Sequence, residues 1–456
     1  MKDTICAIST PSGLGAIAVI RNSGAQAFTT VAPLFPETDI ISLPPQRAQF
    51  AQIIENGQLI DQVVVTKFAA PHSYTGEDMV EISCHGSVFI QQKIMEMLLA
   101  NGCRMAHAGE FTQRAFLNGK MDLPQAEAVA DLIESQSESA HRLAINQLKG
   151  AFSKKLHQLR EQLVCLASLL ELELDFSEEE VEFADRKELL ELLEELHTEV
   201  ERLIRSFKMG NVLKTGIPVA IVGQPNVGKS TLLNAILQHD RAIVSPVPGT
   251  TRDTVEDTFN IGGTLFRFID TAGIRQSDDV VESIGIERTY QAIEKAAVIL
   301  YMVDATQAEP HEIQTEVEDF KAHINLAEQQ LLIIANKIDR LETMPEHYKE
   351  LHDMDILFVS AKRQVNLGDI EERLTQYTHE HAIQDSTLLT NERHYALLTD
   401  MQNAIGRIRQ GLEDQIPTDL LAEEVRAALY DIGCLTGTIS TDELLDNIFG
   451  KFCIGK

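Results

Sequence analysis

Strand-like runs alternate with helical stretches in the middle of the chain, and leucine-spaced helices flank them on both sides. This pattern predicts a multidomain α/β plus α fold, in which an N-terminal α/β domain precedes a helical domain interrupted by an inserted α/β domain. Three observations carry the reading. Between residues 216 and 377, IPVAIV, FRFIDT, VILYMVD and QLLIIAN alternate with helical stretches, as in a parallel sheet with crossover helices. From about residue 121 little Pro or Gly interrupts the chain, and Leu156, Leu159, Leu163, Leu166 and Leu170 recur at helical spacing. Beyond residue 377 the helical pattern resumes in LLAEEVRAALYDIGCL and TDELLDNIF.

The elements follow in order. Residues 1–118 read as the N-terminal domain, with QLIDQVVVTKFAA as a strand and APHSYTGEDMVEISCHG as a loop entering another. Residues 119–215 form the first helical part. Between Glu171 and Glu201 it carries 14 acids against two bases, Arg186 and Lys187, which reads as a solvated helix face with its loop. Residues 216–377 form the inserted domain, and residues 378–456 the second helical part with the FCIGK end. With 456 residues, two to four domains are expected at roughly 150 residues each. Apolar content of 44% and charged content of 24% exclude wholesale disorder and collagen-like structure.

Without a run of 18 apolar residues, a membrane-spanning helix is not expected. The opening MKDTICAISTPSGLGAIAVI reads as folded chain rather than a secretion signal. The six cysteines form no CxxC pair, so neither a zinc knuckle nor a disulfide framework is indicated; a soluble, cytoplasmic protein is expected. The net charge of −30 argues against direct binding of RNA or other nucleic acid, unless a local basic patch or a basic partner supplies the positive charge.

The inserted domain carries the chemistry. Gly223-Gln-Pro-Asn226-Val227-Gly228-Lys229-Ser230 matches G-x-x-x-x-G-K-[ST], after a strand and before the helix-like Thr231-Leu-Leu-Asn-Ala-Ile-Leu. Glycines let backbone N–H groups close around phosphates, Lys229 reaches the β- and γ-phosphates, and the Ser230 hydroxyl binds Mg²⁺. Asp270-Thr271-Ala272-Gly273 follows a strand; its Asp can hold Mg²⁺ through water and the Gly273 N–H can meet the γ-phosphate. Asn336-Lys337-Ile-Asp339 offers a carboxylate that pairs with the N1–H and exocyclic amine of guanine, and Ser360-Ala361-Lys362 can close over the base. Any one of the last three is weak, since such residues in a loop are usually turn chemistry. All four in sequence make a Ras-like P-loop GTPase domain that binds GTP.

Ile274 follows DTAG where Ras-like enzymes place the water-orienting Gln, so the catalytic group must come from elsewhere. Asp278, Asp279 and Glu282 are the nearby carboxylates, with a plain solvated loop as the alternative. In Ser245-Pro-Val247-Pro-Gly-Thr250-Thr251-Arg-Asp253, Thr251 is placed to bind Mg²⁺. Asn226, with carbonyls from this loop, could complete a site for a monovalent cation that supplies the charge of an arginine finger.

Across the whole chain, IAVIRNSG, TGEDMVEISCHG, GEFTQRAFLNGKMDLPQAEAVADLI, PNVGKS, PGTTRD, DTAGIR…ESIGIER and the terminal FCIGK resemble the MnmE (TrmE) family of tRNA-modification GTPases. The resemblance implies an N-terminal domain that dimerises and binds a 5-formyl-tetrahydrofolate-type one-carbon donor. It implies a partnership with the FAD-dependent MnmG, as a heterotetramer, that builds an aminomethyl or carboxymethylaminomethyl group on C5 of the wobble uridine (U34) of certain tRNAs. It also implies potassium-activated association of the GTPase domains. Matched motif by motif, the folate positions are Arg21, Glu81, Lys120 and Lys456. The potassium positions are Asn226, Ser245, Val247 and Thr250, and the catalytic glutamate is Glu282.

An anionic folate tail suits Arg21 and Lys120, and Glu81 can hydrogen-bond a pterin; alone, each reads as a surface ion-pair partner. Cys453 is a functional position of open role: nucleophilic beside a one-carbon site, or an inert thiol. Gly455 and Lys456 make its lipidation an unexpected outcome. Family members often carry Thr at the position of Ser245, and Pro246 and Pro248 stiffen this loop. Two rival readings fit parts of the sequence: an assembly or regulatory GTPase such as a ribosome-maturation factor, and a folate enzyme with a vestigial GTPase. The first leaves residues 1–120 and the CIGK end without a purpose, and intact Lys229, Asp270 and Asp339 speak against the second.

Overall fold

The protein is described by a computed structural model for residues 3–175, 186–239, 257–269, 292–306, 310–321, 324–326, 329–341, 356–381 and 388–456. The chain forms two compact units: residues 1–133, 147–200 and 396–456, and residues 134–146 with 201–395.

In the first unit the alternating runs become strands β1 Ile5–Ile8, β2 Ile17–Ser23, β3 Ala48–Glu55, β4 Gln58–Phe68, β5 Met79–His85 and β6 Arg104–Met105. They lie in the order β3-β4-β5-β2-β1-β6, and every pairing is antiparallel except β1 with β6. Asn56 and Gly57, both at positive φ, make the two-residue turn between β3 and β4. Period two buries Val63 and Val65 of β4 and exposes Val64 between them. The buried row, with Val80, Ile82 and Cys84 of β5, meets Ile94, Met95 and Leu98 of the helix Val88–Ala100. On β1 the other parity, Ile5 and Ala7, packs with Ala106 and Phe111, the latter from the helix Glu110–Leu117.

The leucines singled out by spacing lie on the helix Ala151–Asp175, and Leu156, Leu159, Leu163, Leu166 and Leu170 are all buried. This helix packs along Thr418–Thr436. The helix Arg186–Thr215 buries Leu189, Leu193, Leu196 and Val200 and exposes Glu191, Glu194 and Glu195, so the described part of the acidic run is a solvated face. The helix Asp442–Phe449 packs on Glu110–Leu117 and leads the chain back to the N-terminal sheet.

In the second unit, β7 Ile217–Gly223, β8 Asp257–Ile261, β9 Thr264–Phe268, β10 Val298–Asp304, β11 Gln330–Asn336 and β12 Ile356–Phe358 form a sheet ordered β12-β11-β10-β7-β9-β8. Only β8 with β9 is antiparallel. Every residue of β10 is buried, as expected of a parallel strand covered on both faces. After β7 the chain builds first to one side, through β9 and β8, and then to the other through β10. The carboxyl end of β7 is therefore a topological switch point, where doubly wound sheets place their ligands. This is the multidomain α/β plus α architecture read from the sequence. No described helix is long and apolar enough to cross a membrane.

Candidate functional site

The G-x-x-x-x-G-K-S segment sits at that switch point, between β7 and the helix Lys229–His239. Leu232, Leu233 and Ile236 bury one face of this helix, which fixes its first turn beside the loop. Gly228 has φ +103°, and a Cβ there would strike the Asn336 side chain, so only glycine permits the close approach. The Lys229 Nζ donates to the carbonyls of Gly223 (2.7 Å) and Gln224 (2.9 Å), and burial lowers its pKa. Ser230 and Thr231 occupy the same first turn, where N–H groups face outward and favour anions.

Asn336 ends β11 and ties three loops together. Its Nδ2 donates to the Val227 carbonyl (2.8 Å), and its Oδ1 accepts from the Ala361 N–H (3.0 Å). Asp339 accepts from the Ser360 hydroxyl at 2.7 Å, and that bond lowers the carboxyl pKa. The Arg363 N–H also reaches the Ser360 Oγ, and Lys362 lies exposed between them. The structure thus brings Val227, Gly228 and Lys229 together with Asn336, Asp339, Ser360 and Ala361 at one end of the sheet. Asp304, which no motif singles out, joins them through an ion pair to Lys337.

The second cluster lies in the N-terminal unit. Arg21 of β2 stands opposite Glu81 of β5, and its Nε and Nη2 both donate to Glu81 Oε1, at 2.9 and 2.7 Å. The guanidinium lies 5.3 Å from the Tyr74 ring centre and 5.6 Å from that of Phe111. The C-terminal segment docks here. Ile454 bridges to Ala108, Gly455 O accepts from Ser9 Oγ (3.2 Å) and Arg21 Nη1 (3.4 Å), and Lys456 O accepts from the Phe111 N–H (3.1 Å). Lys120 belongs to the same neighbourhood through the loop that carries Tyr74, since its Nζ donates to Pro71 O at 3.0 Å. Cys453 is exposed at the start of the docked segment, with its carbonyl accepting from the Gly109 N–H.

Beneath this cluster lies a buried ion network. Arg114, 1% exposed, bonds Glu110 (2.8 Å), Glu77 (3.1 Å) and Asp3 (3.1 Å). Arg104 adds a second bond to Glu110 at 2.7 Å. Burial alone would raise the Glu110 carboxyl, but hydrogen bonds from Arg104, the His107 N–H and Arg114 outweigh it and hold the pKa down. Glu77 also accepts from Ser23, so the network fixes the Tyr74 loop against β2.

Two family descriptions match the chain: the MnmE helical domain over residues 123–453, and the GTP-binding protein TrmE N-terminus over residues 4–120. The tRNA modification GTPase MnmE of Flavobacterium johnsoniae is 50% identical over 465 residues, covering 100% of this chain and 99% of its own. That of Christiangramia forsetii is 48% identical and covers 100% of both chains. The chain belongs to the MnmE family. Among solved structures, the G domain of the T. maritima FeoB iron transporter covers 36% of this chain and 98% of its own at 22% identity, with a TM-score of 0.26.

Within the family frame, the described residues suit the expected ligands. The glycine cradle at Gly228, closed by Lys229, fits phosphates, and Ser230 at the helix start offers a hydroxyl for Mg²⁺. Asn226, expected from the family resemblance among the potassium positions, stands at φ +62° in the same loop. Ser245, Val247, Thr250, Thr251, Asp270, Thr271, Ala272, Gly273 and Glu282 lie outside the described residues, as do Asp278 and Asp279. Sequence reading missed Asp304, Tyr74, Phe111, Glu77 and Arg114. Asp304 had only its place at the end of a strand as a signal, and the others act through tertiary contacts that no local pattern encodes.

Proposed function

We propose that the second unit binds and hydrolyses GTP, and that this cycle serves C5 modification of the wobble uridine (U34) of certain tRNAs. The single observation that carries the GTP reading is the Asn336 junction, which joins the phosphate loop to the Asp339 and Ser360 loops at the switch point. Lys229 neutralises phosphate charge, Asp339 reads the guanine edge, and Ser230 with Thr251 holds Mg²⁺, which would stabilise charge developing on the phosphates. Asn226, with Ser245, Val247 and Thr250, would hold K⁺. Glu282 is the proposed carboxylate that orients the attacking water. Replacing Glu282 with Ala should abolish hydrolysis while leaving GTP affinity nearly intact; parallel loss of both would make it a structural residue instead.

The first unit supplies the one-carbon chemistry. Arg21, Glu81, Lys120 and Lys456 bind a 5-formyl-tetrahydrofolate-type donor, and Arg21 with Glu81 acts as one paired unit, since each already engages the other. Cys453 stands at the rim of this site. The modification is an aminomethyl or carboxymethylaminomethyl group, installed with an MnmG-type FAD protein. The chain acts as a homodimer through its N-terminal domain, together with MnmG as a heterotetramer in the cytoplasm. The exposed sheet face supports that dimer: Phe50 pairs Val64, and Val64 and Val19 both pair Ser83, so an apolar-rich row crosses four strands. With a net charge of −30, the chain docks to a basic partner that contributes most of the tRNA-binding surface.

Nucleoside mass spectrometry of bulk tRNA from cells with and without the gene tests the pathway. Loss of the C5-aminomethyl-type wobble uridines is the expected result. Unchanged wobble uridines, with the protein confirmed absent and no second copy of the gene, would overturn it.

A further inference from the structure

Asp304 is a buried carboxylate outside every nucleotide motif, yet it grips a residue inside one. It ends β10 in register with Asn336, and the Ala305 N–H donates to the Asn336 carbonyl at 2.9 Å. Its Oδ2 lies 2.6 Å from Lys337 Nζ, and its Oδ1 accepts from the Thr306 N–H (3.0 Å) and hydroxyl (2.7 Å). Burial alone would raise this carboxyl, but the Lys337 ammonium and the Thr306 donors hold its pKa down. Lys337 itself has φ +72°, a conformation costly for a residue with a Cβ. Its neighbour Asn336 carries the bonds to Val227 and Ala361 described above. A long, flexible lysine stem would otherwise sample many rotamers. Here a two-toothed carboxylate, itself fixed by Thr306, selects one.

We propose that Asp304 is a positioning residue for the guanine nucleotide, acting through Lys337 by fixing its ammonium and stem where the base and ribose enter. The proposal rests on the GTP reading above. It adds that the end of β10, and not the Asn336-Lys337-Ile-Asp339 segment alone, sets nucleotide affinity. Because Asp304 has all its bonds within the protein, its replacement should weaken binding without touching the reacting phosphates.

The test is a double-mutant cycle in the full chain, with a fluorescent GDP analogue for affinity and GTP turnover for kinetics. Asp304→Asn should raise the Kd and the KM by about tenfold, the scale of one charge-assisted bond, while kcat moves by less than about twofold. Lys337→Met should give a similar loss, and the double variant should be no worse than either single one. Thr306→Val, a milder change that spares the ion pair, should weaken binding in the wild-type background and have no effect beside Lys337→Met. Wild-type affinity in Asp304→Asn, or losses that add in full in the double variant, would overturn the proposal. If the unaltered protein fails to bind the GDP analogue at all, the GTP reading itself falls, which is a separate and recognisable outcome.

Discussion

The cluster around Lys229 and the cluster around Arg21 each gather residues far apart in sequence, but by different means. In the parallel sheet, strands β7, β10 and β11 all end on one side, so their following loops meet because of the topology itself. Each loop then needs only a short local motif. In the antiparallel N-terminal sheet nothing of the kind happens. Arg21 and Glu81 are cross-strand neighbours, but the third wall is a C-terminal tail whose Gly455 is 434 residues from Arg21. The fourth is a loop held by a buried arginine. One cluster is guaranteed by strand order and the other depends on a few long-range bonds, so the two should fail in different ways.

The largest expected effect is on the N-terminal cluster. Arg114→Met removes the one cation that bonds Glu110, Glu77 and Asp3 together, leaving Arg104 on Glu110 and Asp3 and, among the described residues, no arginine on Glu77; removing one partner of a buried ion network costs about 3–5 kcal/mol. Urea unfolding followed by circular dichroism should show the loss, whereas GTP affinity should stay close to wild type. The same network predicts an acid dependence. The folded pKa of Glu110 lies below its unfolded value, so its stabilisation is complete above the unfolded carboxylate range, about 4.3, and fades as the pH falls through the depressed folded value. In Arg114→Met that acid-dependent part should shrink. An unaltered acid profile would show that Arg104 alone sustains Glu110.

Next in size is the junction of the other cluster. Asn336→Ala removes the partners of the Val227 carbonyl and the Ala361 N–H, both buried, at about 2–3 kcal/mol together. Nucleotide affinity should fall alongside stability. Retained affinity would mean that the loops hold their places through strand order alone, which would sharpen the contrast between the two regions.

How far each region was legible in the sequence follows from the same contrast. IPVAIV, VILYMVD and QLLIIAN became β7, β10 and β11, because buried parallel strands are near-continuous apolar runs. The motif residues after them needed no tertiary knowledge. In the sequence Asp304 is only the last letter of a strand, since its meaning depends on Lys337 lying beside it across two strand ends. Arg21, Glu81, Lys120 and Lys456 were recognisable only through family resemblance. Arg114, inside GEFTQRAF, looks like any helical arginine until burial and its three carboxylates are seen.

A smaller effect is expected where the tail docks. Gly455 has φ +93°, and a Cβ there would lie 2.5 Å from the Ile8 carbonyl. Gly455→Ala therefore costs about 1–2 kcal/mol in backbone strain before the clash is relieved. The relief expected is release of residues 453–456, seen as faster amide exchange at Phe111, whose N–H bonds Lys456 O. Unchanged protection at Phe111 would mean that the tail absorbs the alanine in place.

The smallest effect tests whether that docking depends on the helix leading into it. Thr441 caps Asp442–Phe449 by accepting from the Leu444 N–H at 3.2 Å. Leu445 and Phe449 of this helix are buried with Leu123 and Ala126, and the Phe449 ring lies 6.5 Å from that of Phe116. Removing the cap in Thr441→Ala should cost about 1 kcal/mol. Because the packed face is untouched, amide exchange should quicken in the first turn of the helix and stay slow at Phe111. Faster exchange at both places would show that the tail and its helix open together, and that the N-terminal cluster inherits the stability of residues 442–449 as a single cooperative piece.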